Sequence, residues 1–227
     1  MTSYATTRDR LETYFDRTAA QTWEQLTSDA PVSRIRQTVR AGRDQMRALM
    51  LSRLPADLGG ARVLDAGCGA GQTAIELARR GAEVVAVDIA PSLLEVAARR
   101  MPAALAPRVH FLTGDMLDPA HGRFDYVIAM DSLIHYHAPD IAAALGGLIR
   151  RTGGAVVFTL APRTALLQLM HAAGKAFPRA NRSPAIVPHR ADRIADALAA
   201  AGTGGTLRPV GRISSGFYIS QAMELRP

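Results

Sequence analysis

Between residues 62 and 160 the chain alternates short aliphatic runs with helix-forming stretches, and no other feature limits its fold as much. The runs predict strands at 62–66, 83–88, 108–112, 124–130 and 154–160, with helices at 71–80, 91–100 and 139–151. Strands separated by helices pair in parallel, and the crossover helices cover both faces of the sheet. The expectation is a doubly wound α/β fold. A helix at 190–201 follows, and "TLRPVGRI" (206–213) and "GFYISQAMEL" (216–225) are joined by Ser214 and Ser215, the spacing of a closing antiparallel hairpin.

Residues 1–54 read as a separate helical arm or lid, with 55–227 as the main domain. Val32, Ile35, Val39, Met46, Leu49, Met50 and Leu54 fall near helical spacing, while Arg34, Arg36, Arg40, Arg43 and Arg47 take mostly other faces. Within the domain, residues 162–189 form an insertion on the substrate side, amphipathic in "RTALLQLMHAAGKAF" and then proline-rich and basic. A chain of 227 residues, 48% of them hydrophobic, suffices for one well-cored domain plus such an appendage.

The net charge of +7 does not make a nucleic-acid surface. The basic residues are almost all arginines, and the pairs at 79–80, 99–100 and 150–151 fall at helix C-termini, where cations complement the helix dipole. No aromatic-studded basic strip accompanies them. A single cysteine, Cys68, forms no internal disulfide, and no Cys/His cluster has metal spacing. The N-terminal stretch has no apolar signal core, and no run reaches the eighteen apolar residues of a membrane span, so the expected compartment is the cytoplasm.

The chemistry concentrates in "RVLDAGCGAGQTAIELARRGAEVVAVDIA", 62–90. A glycine turn between a strand and a helix offers backbone N–H groups to a ligand that approaches closely. Here the glycines are Gly67, Gly69 and Gly71, and Gln72 stands where a dinucleotide-binding turn has its last glycine. Asp65, just before the turn, would repel a pyrophosphate but suits an ammonium. Asp88, at the end of the second strand, suits two ribose hydroxyls. Asp115 in "FLTGDM" suits an adenine amino group, with Met116 as its apolar neighbour. Three acids at three successive strand ends describe a site for a cationic adenosine compound, to which Cys68, Ile89, Gly114 and Met130 also belong by position.

"VLDAGCGAG", Asp88 and "GDM" resemble the signature of class I S-adenosylmethionine-dependent methyltransferases. That resemblance implies a Rossmann-like methyltransferase sheet and S-adenosylmethionine as cofactor. Over nearly the whole chain, "YFDRTAAQTW", "VRAGRDQM", "MDSLIHY" and "GFYIS" resemble the magnesium protoporphyrin IX O-methyltransferases of bacteriochlorophyll biosynthesis. This second resemblance implies methylation of one propionate of the metalloporphyrin. It also leaves open handover from a magnesium chelatase subunit and peripheral contact with the photosynthetic membrane. A quinone precursor is the alternative substrate.

A propionate, with a pKa of about 4.3, is ionised at neutral pH, so no strong base is required. His135 and Tyr14 are therefore expected to position and desolvate the carboxylate. Axial ligation of the porphyrin magnesium by His135 or His137 is the lesser expectation, since magnesium prefers oxygen ligands. Tyr14, Phe15 and Trp23 suit an arm that folds over the macrocycle, and Leu166, Leu167, Leu169 and Met170 could wall it. Arg40 is expected to pair with the methionine carboxylate of the cofactor, or else with a propionate.

Overall fold

The structure, a computed structural model, describes residues 3–16, 33–163 and 185–227. Trp23, Leu166, Leu167, Leu169, Met170 and most of the 162–189 insertion lie outside the described residues. The chain runs through α1 (Tyr4–Tyr14), α2 (Arg34–Leu51), β1 (Arg62–Ala66), α3 (Gln72–Arg79), β2 (Glu83–Asp88), α4 (Pro91–Arg100), β3 (Val109–Thr113), β4 (Phe124–Ala129), α5 (Ala138–Ile149), β5 (Thr152–Leu160), α6 (Ala191–Ala200), β6 (Thr206–Ser215) and β7 (Tyr218–Arg226).

These strands form one sheet in the order β3-β2-β1-β4-β5-β7-β6. The first five are parallel, and β7 pairs antiparallel with both β5 and β6. From β1 the chain winds outward through β2 and β3, then returns to place β4 on the other side of β1. That reversal opens a crevice at the carboxyl ends of the strands, where ligands of open α/β sheets bind.

Both faces are apolar because both are covered. Leu64, Val127, Val156 and Phe158 lie in one core layer, and Val63, Val84, Ile128 and Val157 in the other. The second layer also contains Met46, Met50 and Leu51 of α2, the two methionines fully buried. Thus α2 belongs to the core of the sheet's second face. In α1 only Leu11 is buried, and Tyr4 packs partly buried against the first core layer.

The hairpin turn lies two residues beyond the expected place. Ser215 pairs with Tyr218, so Gly216 and Phe217 make the turn. Gly216 has φ +57°, the left-handed geometry required at the first central residue of a tight hairpin turn, whereas Ser214 and Ser215 continue the strand.

Candidate active site

A cavity of about 330 Å³ lies at the carboxyl ends of β1, β2 and β4. Its lining includes Asp65, Gly67, Cys68, Gly69, Gln72, Asp88, Ile89, Gly114, Met116, Met130 and His135 from the expected set. Gly71, Asp115, Arg40 and Tyr14 are not part of that lining.

Asp65 is 1% exposed, and its Oδ2 has no hydrogen-bond partner. Burial and the charge of Asp88 push its pKa up to about 7, against smaller opposing effects of an Ala74 N–H and the Arg47 charge. An unsatisfied buried oxygen is expensive, and a cationic donor in the cavity would satisfy it. Asp88 accepts from the N–H of Gly69 at 2.8 Å and of Ala90 at 2.9 Å, one on each oxygen. Those bonds tie the loop after β1 to the end of β2 and leave each oxygen a lone pair for a hydroxyl. Burial raises its pKa. A side chain built on Gly69 would meet no protein atom within 4 Å, so the space beside that backbone is open to a ligand. These features fit the ammonium, ribose and adenosyl parts of S-adenosylmethionine.

Gly71 serves packing. A Cβ there would lie 2.9 Å from the Cβ of Ala97, at φ +78°. Its glycine lets α3 approach α4 closely, much as the last glycine of a dinucleotide turn permits close packing. Cys68 is buried, and burial raises its thiol pKa, so it is a small wall residue.

Asp115 faces the arm. Its Oδ1 accepts from the Tyr4 hydroxyl at 2.8 Å and the Leu117 N–H at 2.9 Å, while Arg8 donates to Oδ2 at 3.0 Å. Tyr4 also stacks on Tyr136, with ring centroids 4.8 Å apart. Tyr4 and Arg8 line the cavity beside Met116, so α1 walls the end expected to hold adenine. Sequence reasoning missed both residues, because their partners lie more than a hundred positions away.

Besides Tyr4, the aromatic residue that the N-terminal arm brings to the cavity is Phe15, directly after α1, and not Tyr14. Successive helical residues point about 100° apart, and Phe15 meets the His135 ring edge-on with centroids 6.2 Å apart. Tyr14 packs against Phe15 instead. The His135 Nδ1 lies 3.2 Å from the Ala185 carbonyl oxygen, and burial lowers the ring's pKa. His137 is exposed at the start of α5 and does not line the cavity.

On α2 the cavity receives Arg43 and Arg47, one turn apart, instead of Arg40. Arg47 donates to Gln72 at 3.4 Å. Arg43 pairs with Asp131 at 2.7 Å, an acid the sequence reading did not single out. Among the described residues Asp131 alone of the non-glycines has positive φ, +57°. It also accepts from the Tyr218 hydroxyl at 3.1 Å, and its N–H donates to Thr159 Oγ1 at 2.7 Å. The available signal was an acid directly after strand 124–130, in a chain with a basic helix near its start.

A family model described as magnesium-protoporphyrin IX methyltransferase C-terminus matches residues 129–227, and one for a methyltransferase domain matches 63–153. The chain superposes with TM-score 0.80 and 28% identity on the crystal structure of magnesium protoporphyrin IX methyltransferase from Synechocystis PCC 6803 with bound S-adenosylhomocysteine, covering 96% of this chain and 99% of that one. A ubiquinone biosynthesis O-methyltransferase from Alkalilimnicola ehrlichii is 32% identical over 150 residues, which span 64% of this chain and 56% of that protein. The magnesium-protoporphyrin O-methyltransferase of Rhodobacter capsulatus is 56% identical over 225 residues, 99% of this chain and 98% of that one. With that identity sustained along both chains, this protein belongs to the magnesium-protoporphyrin O-methyltransferase family.

Proposed function

We infer that this enzyme transfers a methyl group from S-adenosylmethionine to a propionate carboxylate of magnesium protoporphyrin IX, giving the monomethyl ester and S-adenosylhomocysteine. The observation that carries the cofactor part of the reading is the unpartnered Asp65 oxygen in the same cavity as Asp88 and His135, and the porphyrin part is supported by the 56% identity to the Rhodobacter capsulatus enzyme along both chains. When bound, the cofactor supplies an electrophilic methyl group on a sulfonium, and the residues must align the acceptor oxygen with it and exclude water.

Asp65 accepts from the cofactor's ammonium and Asp88 from its ribose hydroxyls. Ile89 and Met116 flank the base, with Gly67, Gly69 and Gly114 providing close backbone. Arg47 takes the role first expected of Arg40, since its charge already acts on Asp65 and its position serves the cofactor's carboxylate. Asp131 takes up the charge of Arg43 and holds Tyr218, so that corner of the cavity is rigid.

His135 positions the acceptor. Donation from its Nδ1 to the Ala185 carbonyl leaves Nε2 for the substrate. Burial disfavours the imidazolium in the ligand-free protein, and the negative charge of a propionate brought against the ring favours it, so that Nε2 then donates a charge-assisted hydrogen bond to that carboxylate, with Phe15 edge-on to the ring. The low solubility of a metalloporphyrin in water supports handover from a magnesium chelatase subunit as a further part of this reading. Peripheral membrane contact is another; among the described residues no helix is long and apolar enough to cross a membrane.

The test is incubation of the purified protein with S-adenosylmethionine and magnesium protoporphyrin IX, resolving products by chromatography and mass. The expected product is heavier by one methyl group and disappears with Asp88→Ala. Intact cofactor binding without ester formation would overturn the substrate assignment.

A further inference from the structure

Four large apolar side chains are exposed among the described residues: Ile35, Leu112, Ile186 and Phe217. Two of them, Phe217 at 50% exposure and Ile186 at 37%, line the active-site cavity. Both are carried on backbone that is tied down. The Ser215 hydroxyl donates to the Thr38 carbonyl of α2 at 2.9 Å, and a Cβ on Gly216 would clash with Thr38 Oγ1. Only glycine lets the hairpin tip press this closely on α2. On the other side of Phe217, Tyr218 is anchored to Asp131. The segment bearing Ile186 is strapped to the loop after β4, with the Val187 N–H donating to the Ile134 carbonyl at 2.8 Å and His135 Nδ1 meeting Ala185.

Apolar side chains held rigidly in water at a cavity rim are preorganised for a ligand that covers them. The cavity's size identifies which part of the ligand does so. About 330 Å³ is at the low end for ligand pockets, roughly 300–1,000 Å³, and the adenosyl cofactor must share it. With the cofactor taking much of that space, the described residues enclose the reacting propionate rather than a whole four-ring macrocycle. Its reacting propionate enters towards His135, while the flat apolar rings stay at the rim.

We propose that Phe217 and Ile186 form an apolar clamp that grips the porphyrin macrocycle outside the cavity and selects a tetrapyrrole carboxylate over smaller ones. The clamp rests on the functional reading above. Its occupant is the substrate's ring system, the one flat apolar surface that this reaction brings to the rim.

The test uses the full chain saturated with S-adenosylhomocysteine, titrated with magnesium protoporphyrin IX while porphyrin absorption is followed, together with turnover kinetics. Phe217→Ala is expected to weaken porphyrin binding by about ten-fold or more and to raise the porphyrin KM in proportion. Its kcat at saturation and its affinity for S-adenosylhomocysteine should stay at the wild-type level. Phe217→Tyr, which keeps the ring, should restore affinity, and Ile186→Ala should weaken it about three-fold or more. Porphyrin affinity of Phe217→Ala within two-fold of wild type would overturn the clamp, as would a parallel loss of S-adenosylhomocysteine affinity. A wild-type protein that binds S-adenosylhomocysteine but neither binds nor methylates the porphyrin would instead overturn the functional reading itself.

Discussion

Replacing Asp65 with Asn tests the cofactor site through stability alone. Burial and Asp88 raise the Asp65 carboxyl from 3.8 to about 7 in the folded, ligand-free protein. Because the folded value lies above the unfolded one, the proton favours the native state. Its contribution is complete below about pH 4 and is lost as pH rises to 7. The shift of about three units corresponds to roughly 4 kcal/mol, lost at about 1.4 kcal/mol per pH unit across that window. Asp65→Asn cannot ionise, so its stability advantage over wild type should grow from pH 4 to 7 and then level off. Urea unfolding of both ligand-free proteins at half-unit steps from pH 4.5 to 8.5 measures the difference. The slope is diagnostic because any constant packing offset of Asn cancels. Parallel curves, or a wild type that gains on the variant as pH rises, would refute the reasoning. An ammonium at Asp65 favours the carboxylate, so wild-type affinity for S-adenosylhomocysteine should also rise with pH up to about 7, and the variant should lack that rise.

The Arg43–Asp131 pair should resist single replacement. Asp131→Ala is expected to destabilise by about 3 kcal/mol, and a double-mutant cycle with Arg43→Ala should give a coupling of about 1–3 kcal/mol by urea unfolding. Gly71→Ala sets a methyl group against Ala97 at positive φ; it should cost about 1–3 kcal/mol in thermal unfolding while leaving S-adenosylhomocysteine affinity near wild type, since Gly71 does not line the cavity. His135→Ala should lower kcat by about a hundred-fold with the cofactor KM unchanged, measured by ester formation under saturating substrates.

The alternation from 62 to 160 is local information, and its strands and helices emerged within about two residues of their expected ends. The acids Asp65 and Asp88 were legible for the same reason, because a strand end fixes their direction. Asp115 is expected in the site for an adenine amino group, yet it does not line the cavity, and its carboxylate is turned to Tyr4 and Arg8, partners that no local pattern names. The choice among Arg40, Arg43 and Arg47 depended on how α2 rotates when Met46 and Met50 sink into the core, which heptad-like spacing alone does not decide. Asp131 carries no local mark, because a single acid after a strand resembles many solvent-facing turns, and its ion pair spans 88 positions.

The insertion of β7 between β5 and β6 has a consequence for the order of assembly. In sequence β6 precedes β7, yet β6 contacts the sheet only through β7. While β7 is unpaired, β5 presents an open edge of unsatisfied backbone groups, and the site lacks the wall that runs from Tyr218 to Ser220. The pairing of β7 with β5 spans more than sixty residues, so its loop closure belongs to the slow part of folding. A chain stalled before residues 218–226 dock would therefore hold Asp65 and Asp88 in place while it still lacked that wall and presented an open, adhesive edge on β5.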